Sequence, residues 1–273
     1  MAFDLSDPAV RGVVERALAE DVGAGDVTTN ACVPEGLMAE ARFVAREPMT
    51  VAGIELLDLI LELPVQRKSS GYPAEPGEEI ARVSGPARLL LTRERVSLNF
   101  LQRLSGVATL AAKFAKVASG SAVKILDTRK TTPGLRMLEK MAAAAGGVIN
   151  HRMGLFDAVL IKNNHIAIAG GVKPAIERAR AANKPIEVEV RTRVEIEEAL
   201  ASGAARLLLD NMTPEQAAEE IRFIAYRAQT EISGGVTLAN LRAYVEAGPD
   251  FISSGAITHS ATAVDINCRI GVL

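Results

Sequence analysis

Short apolar runs that end in polar residues recur along the second half of the chain. Residues 124–165 contain two of them, at 125–126 and 158–161, with a helix predicted between them over residues 135–145. Four more runs, most of them followed by a helical pattern, lie at 185–190, 206–210, 230–233 and 250–254. Strands that alternate with helices predict a parallel sheet. Right-handed crossovers can curl six such strands into a barrel or an open barrel.

The first part of the chain mixes strand and helix patterns without a repeat, which indicates an α+β arrangement. Asp7 and Pro8 predict the start of a helix, and residues 20–29 form a polar, glycine-containing loop. We expect strands at 38–45, 80–85 and 87–91 and a helix at 53–62. Thr92 is expected to cap a long helix over 92–116, broken near residues 105–106, with arginines 93, 95 and 103 facing solvent or a partner.

Polar residues sort by the strand that they follow. The carboxyl ends of the predicted strands carry cations first, carboxylates next and serine–glycine loops last: Asp127, Thr128, Arg129 and Lys130; Lys162; Glu189; Asp210 and Asn211; Ser233, Gly234 and Gly235; Ser254 and Gly255. In parallel barrels the reactive groups lie at the carboxyl ends of the strands. A solvated surface has no reason to sort in this way, so this edge is predicted to be a functional site.

Composition excludes several classes of protein. The chain has 273 residues, a net charge of −2 and two cysteines. A pI near 6.0 argues against a nucleic-acid binder, and the absence of tryptophan argues against stacking platforms for bases. No apolar run reaches the roughly 18 residues of a membrane helix, and no signal peptide is visible in residues 1–10. Cys32 and Cys268 are interpreted as reduced thiols of a cytoplasmic protein.

The residue types at the predicted edge favour a strongly anionic ligand. Glycine loops that open onto helices offer backbone N–H groups to a phosphate, although a plain tight turn would give the same pattern. Arg129 and Arg152 suit carboxylate or phosphate. Glu189 and Asp210 suit Mg²⁺ or sugar hydroxyls, or alternatively a salt bridge to Lys162. His151 and His165 lack the spacing of a zinc pair, so hydrogen bonding or contact with an anion is expected of them.

Several motifs resemble those of the quinolinate phosphoribosyltransferase family. In order along the chain they are EDVGAGDVTT (20–29), ERVSLNFLQRLSGVAT (94–109), DTRKTTPGLR (127–136), GGVINHR (146–152), LIKNNH (160–165), VEV (188–190), LDNM (209–212), SGGV (233–236) and SSGAITHS (253–260). The resemblance runs nearly end to end. Two small departures, at Asn163 and in the loop 141–148, remove none of the candidate residues.

The resemblance implies a fold and a reaction. The fold is an open parallel α/β barrel of six or seven strands over residues 106–264, beside an amino-terminal α/β sandwich domain over 1–105 to which residues 265–273 return. The reaction converts quinolinate and phosphoribosyl pyrophosphate to nicotinate mononucleotide, pyrophosphate and CO₂, with Mg²⁺, in NAD biosynthesis. The family resemblance further implies a homodimer, possibly a higher oligomer, in which Arg95 completes the partner's site. No nucleic acid or membrane partner is expected.

The resemblance also implies roles for individual residues. Catalytic roles go to Lys130, Lys162, Glu189 and Asp210, of which the last two are also assigned to the metal. Substrate contacts go to Arg95, Thr128, Arg129, Lys130, His151, Arg152, Lys162, Glu189, Asp210, Ser233, Gly234, Gly235, Ser254, Gly255 and Ala256. Three alternatives stay open: a related phosphoribosyltransferase associated with molybdate transport, a Schiff-base lyase that uses Lys162, and a non-catalytic anion-binding protein.

Overall fold

The structure is a computed structural model that describes residues 4–273; the first three residues, part of the stretch without a visible signal peptide, lie outside it. Up to the end of the long helix the elements are α1 (Pro8–Val22), α2 (Val27–Cys32), β1 (Met38–Ala45), β2 (Met49–Thr50), α3 (Leu56–Leu61), β3 (Gln66–Arg67), β4 (Pro73–Ala74), β5 (Glu79–Pro86) and α4 (Ala87–Ala118).

The remaining elements alternate between strand and helix. They are β6 (Lys124–Leu126), α5 (Arg136–Ala145), β7 (Val159–Ile161), α6 (Asn163–Ala169), α7 (Val172–Ala179) with a 3₁₀ turn (Arg180–Ala182), β8 (Ile186–Val190), α8 (Arg193–Ala201), β9 (Arg206–Asp210), α9 (Pro214–Ile224), β10 (Gln229–Ser233), α10 (Leu241–Glu246), β11 (Phe251–Ser253), α11 (Ala256–His259) and β12 (Ile266–Val272). Among the described residues, no helix is long and apolar enough to cross a bilayer.

The chain divides into two compact units, each built from more than one segment, and the domain boundary at 105/106 stays a prediction. One unit contains the described residues up to Ala112, Thr131–Gly147 and Ile257–Leu273, and the other contains Lys113–Lys130 and Val148–Ala256. The first unit has an antiparallel sheet in the order β12-β1-β5-β3. Every second residue of β1, including Ala41 and Phe43, is buried, because successive side chains of a strand point to opposite faces.

The second unit has the predicted parallel sheet. Its six strands lie in the order β6-β11-β10-β9-β8-β7. The first two of these strands along the chain, β6 and β7, therefore form opposite edges, and the sheet stays open. Ile149 forms a single parallel bridge with Leu126 beside the β6 edge. The predicted open α/β barrel is therefore confirmed, with six strands, as is the additional sheet of the first unit. Helices α6 and α7 were not predicted.

Three predictions in the first part of the chain are wrong. Residues 20–29 are not all loop, because Asp26 accepts a hydrogen bond from the Thr29 N–H at 2.9 Å and starts α2. Residues 87–91 are not a strand, since α4 already begins at Ala87. Thr92 therefore lies inside α4, and its hydroxyl donates to Asp26 at 3.2 Å instead of capping the helix.

Helix α4 is also not broken at its glycine. A Cβ at Gly106 would lie 2.0 Å from the carbonyl oxygen of Thr262, so glycine allows the close approach of the returning segment. Two of the arginines expected to face solvent or a partner instead bind inside the unit. Arg93 donates to the Ile60 carbonyl at 2.6 Å, and Arg103 pairs with the fully buried Glu139 at 2.6 Å.

Candidate active site

A cavity of about 390 Å³ opens at the carboxyl ends of the parallel strands. Its lining contains most of the predicted residues: Thr128, Arg129, Lys130, His151, Arg152, Lys162, Glu189, Asp210, Ser233, Gly234 and Gly235, together with Leu160, Leu208, Asn211, Glu231 and Ser253. The structure thus brings the cations, carboxylates and the first glycine loop to one place, all within the second unit.

The cationic side of the cavity is organised by a buried carboxylate that follows β6. Asp127 is fully buried and accepts hydrogen bonds from the His151 N–H at 2.8 Å and from the Asn150 side chain at 2.6 Å. This fixes the loop that carries His151 and Arg152. The guanidinium of Arg152 donates to the carbonyl of Ala158 at 3.0 Å. Burial and the charge of the nearby Arg129 lower the pKa of Arg152, which indicates two cations held close together.

Lys162 lies at the end of β7, immediately before α6. The N–H of Lys162 donates to Nδ1 of His165 at 2.9 Å, so His165 serves as a local cap for the first turn of α6. The side chain of Lys162 is exposed toward the cavity that it lines. The hydrogen bond from the Lys162 N–H to His165 fits the hydrogen-bonding role expected for His165.

The acidic side comes from neighbouring strands β8 and β9. Glu189 is buried and Asp210 is half-buried. One nitrogen of Arg191, Nη2, lies 3.2 Å from Glu189 and 3.1 Å from Asp210. The cation that bridges the two acids is therefore Arg191. The alternative interpretation had named Lys162 for this role. Carboxylate oxygens are the ligands that Mg²⁺ prefers, so Glu189 and Asp210 are the residues on this side of the cavity that could hold a metal ion.

The glycine loop after β10 approaches the end of β9 closely. Gly234 has a φ of +96°, and a Cβ at this position would lie 2.2 Å from Oδ1 of Asn211. The N–H of Asn211 donates to the Ser233 carbonyl at 2.9 Å, and the hydroxyls of Ser253 and Ser233 lie 3.0 Å apart. Backbone and hydroxyl groups consequently line this end of the cavity, as an anion site requires.

Four predicted residues do not line the cavity. Ser254 is buried and its hydroxyl donates to the Val236 carbonyl at 2.6 Å, while Gly255 is buried and Ala256 half-buried behind it. The Ala256 N–H donates to the Ser254 hydroxyl at 3.2 Å, so this loop supports the neighbouring glycine loop through hydrogen bonds. Arg95 is an exposed residue of α4 in the first unit.

Sequence reasoning missed three charged residues. Glu187 and Glu231 are buried inside strands, where the surrounding apolar residues concealed them, and Arg191 follows β8 directly. A signal for Glu187 was present, because residues two apart in a strand share a face and Glu189 had been assigned to the functional site. His151 Nε2 lies 3.1 Å from Glu187.

Comparisons with known proteins match both parts of the chain. Residues 26–105 match the family model "Quinolinate phosphoribosyl transferase, N-terminal domain", and residues 107–269 match the model of the C-terminal domain. The chain is 42% identical over 260 residues to a "Probable nicotinate-nucleotide pyrophosphorylase [carboxylating]" of Bacillus subtilis, covering 92% of this chain and 90% of the relative.

Two further relatives extend the match. A chloroplastic "Nicotinate-nucleotide pyrophosphorylase [carboxylating]" of Arabidopsis thaliana is 42% identical over 290 residues, covering 96% of this chain and 82% of the relative. Among solved structures, NadC from Streptococcus pyogenes is 37% identical and superposes with a TM-score of 0.94, covering 100% of both chains.

Proposed function

The chain belongs to the quinolinate phosphoribosyltransferase family, and from this premise we propose how its cavity performs the reaction. The protein is a decarboxylating phosphoribosyltransferase of NAD biosynthesis. It transfers the phosphoribosyl group of phosphoribosyl pyrophosphate to quinolinate and forms nicotinate mononucleotide, pyrophosphate and CO₂. The molybdate-associated transferase, the Schiff-base lyase and the non-catalytic binder gain no support from these matches.

One observation carries the assignment of roles: a single cavity has cations on one side and carboxylates on the other. Quinolinate brings two carboxylates and phosphoribosyl pyrophosphate brings several phosphates, so both substrates need concentrated positive charge. We assign Arg129, Lys130, Arg152 and Lys162, with Thr128 and His151 beside them, to the quinolinate carboxylates and part of the phosphates. Arginine suits these planar anions because it can donate two parallel hydrogen bonds.

The glycine loop is the proposed cradle of the 5′-phosphate. Ser233, Gly234 and Gly235 line the cavity, and the two glycines have positive φ, a conformation in which backbone N–H groups form concave anion sites. The second loop, Ser254, Gly255 and Ala256, is proposed to contribute by holding the first loop in place, because the Ser254 hydroxyl donates to the Val236 carbonyl.

Glu189 and Asp210 are proposed to contact the ribose hydroxyls and Mg²⁺. Their fit to the metal follows from hard oxygen donors on adjacent strands that a single cation, Arg191 Nη2, already reaches at 3.2 and 3.1 Å. When bound, Mg²⁺ supplies positive charge that stabilises the leaving pyrophosphate.

The chain's own contribution to the reaction is electrostatic. As the bond between ribose and pyrophosphate lengthens, positive charge develops on the ribose, where the carboxylates of Glu189 and Asp210 stabilise it. Lys130 and Lys162 stabilise the negative charge that moves onto pyrophosphate. The ring nitrogen of quinolinate then bonds to the ribose. Its positive charge lets the ring accept the electron pair that remains when CO₂ departs, so no covalent nucleophile of the protein is needed.

The proposed assembly is a homodimer in which Arg95 reaches the partner's cavity. Support comes from the family membership and from the exposure of Arg95. Mixing two inactive variants, Arg95→Ala and Lys162→Ala, tests it. Subunit exchange would restore about a quarter of the wild-type sites, because half of the dimers then carry one intact site. If the mixture stays as inactive as its components while exchange is verified by mass, Arg95 does not act across the interface.

A turnover assay tests the reaction itself. Purified protein with quinolinate, phosphoribosyl pyrophosphate and Mg²⁺ is expected to produce nicotinate mononucleotide, and chelation of divalent cations is expected to stop it. Turnover that is unaffected by chelation would contradict the metal proposal.

A cytoplasmic location, without nucleic-acid or membrane partners, remains a prediction from composition. Fractionation of the producing cells tests the location.

A further inference from the structure

Two carboxyl groups inside the second unit have no role in the reaction as described. Glu231 is fully buried on β10, and Glu187 is 6% exposed on β8. His151 Nε2 lies 3.1 Å from Oε2 of Glu187 and 3.7 Å from Oε2 of Glu231. Neither oxygen of Glu231, nor Oε1 of Glu187, has a hydrogen-bond partner of ordinary geometry among the described residues. The ligand atoms of His151, Glu187 and Glu231 lie within 4.8 Å of one another, and a second buried carboxylate at such a separation favours the neutral form of the first.

Glu231 is the member of this group whose surroundings favour the protonated form. Burial, followed by the charge of Glu187, raises the pKa of Glu231 well above its ordinary value. The groups that face it are His151 from the loop after β6, Glu187 from β8, Arg206 from β9 and Ser253 from β11. The charge of Arg206 lowers the pKa of Glu231. The guanidinium of Arg206 also lies 4.2 Å from the centre of the Phe251 ring.

The position of Glu231 places this proton beside the substrate. Glu231 lines the same cavity as Arg129, Arg152 and Lys162, the residues assigned to the quinolinate carboxylates. A second cavity of about 420 Å³ lies among the amino-terminal ends of the strands, lined by Pro185, Ala205 and Gln229. His151 and Arg152 line both cavities, and Glu187 lines the second. The Arg152 N–H donates to Nδ1 of His151 at 2.8 Å, so the ring presents Nε2 to the carboxyl pair.

The reaction requires a proton at ring carbon 2, and none of the residue roles given above supplies it. Loss of CO₂ breaks the bond between ring carbon 2 and its carboxylate, and the electron pair stays on carbon 2 beside the cationic ring nitrogen. A proton must then bond to carbon 2 before CO₂ returns. We propose that Glu231 is the catalytic acid that donates this proton, and this proposal rests on the substrate placement given above.

The step balances in protons and electrons. The O–H bond of the Glu231 carboxyl breaks, the hydrogen bonds to carbon 2, and the electron pair remains on the carboxylate oxygen. The carboxylate regains a proton from solvent through the cavity that it lines, once the product has left. Each turnover consumes one proton and releases one CO₂, and no oxidant or reductant is needed.

The Glu231→Gln variant separates this role from a structural one. Glutamine keeps the size and neutrality of the protonated side chain but cannot act as an acid. In a single turnover we expect pyrophosphate release within about threefold of wild type, while nicotinate mononucleotide forms at least about 100-fold more slowly, the scale of general acid catalysis. The mononucleotide of quinolinate, still carrying both carboxylates, should accumulate. Glu177→Gln, a change to an exposed carboxylate, is the control and should follow wild type.

Two outcomes would overturn the proposal: nicotinate mononucleotide formed at the wild-type rate, or both steps slowed equally. If Glu231→Gln does not fold, infrared spectroscopy of the wild type decides the question. A protonated carboxylic-acid band must persist at neutral pH, and its absence would exclude Glu231 as the donor. If the wild type itself releases no pyrophosphate from the two substrates, the proposed function fails instead.

Discussion

Arg152 shows how single side chains prepare the cavity for an anion. Its backbone is fixed by the loop that Asp127 organises, and its guanidinium donates to the Ala158 carbonyl. Burial and the charge of Arg129 lower its pKa, yet a guanidinium stays charged at neutral pH. Holding like charges together costs free energy in the ligand-free protein. A bound dicarboxylate removes that cost, so the residue is organised for its substrate before the substrate arrives.

Lys162→Ala and Arg152→Ala test this view of the cationic side. Each is expected to lower kcat/KM for quinolinate by about 100-fold or more, the scale for removing one preorganised electrostatic group. Steady-state kinetics measure the effect, and Lys173→Ala, at an exposed lysine of α7, is the matched control. Both active-site variants retaining activity within a few-fold of the control would show that the cations are misassigned.

The difference between predicted and missed residues has a physical origin. Polar residues directly after an apolar run, such as Lys162 and Asp210, stand out in the sequence and were assigned correctly to one edge. Glu231 lies within a strand, and its importance depends on Glu187 and His151, which are distant in the sequence. The group forms only when the chain has folded, so no single position in the sequence could indicate it.

The glycine loop after β10 illustrates how two elements define a binding surface together. Asn211 directly follows β9 and has a positive φ of 57°, and its N–H donates to the Ser233 carbonyl. Gly234 passes directly beside Asn211. The close approach aligns the ends of β9 and β10, and any side chain at position 234 would separate them.

Gly234→Ala and Gly235→Ala form a matched pair. At Gly234 the added Cβ would lie 2.2 Å from Oδ1 and 2.9 Å from the backbone nitrogen of Asn211, whereas nothing lies within 4 Å at Gly235. Both positions have positive φ, which costs a non-glycine residue roughly 1–2 kcal/mol. Gly234→Ala should therefore lose more stability in urea unfolding and raise KM for phosphoribosyl pyrophosphate more. Equal effects of the two changes would show that the contact with Asn211 is unimportant.

Helix α4 shows where local patterns are insufficient. Residues 87–91 are mainly alanine and leucine, which favour helix, but their position after a strand led to the wrong assignment of a second strand. Gly106 resembled a break in the helix. Glycine is instead required there because a side chain would collide with the Thr262 carbonyl, which is far away in the sequence. The parallel strands were easier to predict, because each is a short apolar run with polar residues at its end.

At the scale of the molecule, the chain passes repeatedly between its two units. Residues 131–147 and 257–273 belong to the first unit, and β12 pairs with β1 in register, for example Cys268 with Phe43. The cavity is formed within the second unit by residues from both edges of an open sheet. Patterns along the chain predicted the six parallel strands, but long-range returns such as residues 131–147 leave no local signal.

The central claim is that this one cavity couples phosphoribosyl transfer to loss of a specific carboxylate. The most direct measurement uses quinolinate labelled in the carboxylate at carbon 2, with pyrophosphate, labelled CO₂ and nicotinate mononucleotide quantified in one reaction. We predict equal amounts of all three and no label in the mononucleotide. Label retained in the mononucleotide, or pyrophosphate released without CO₂ at completion, would contradict the account.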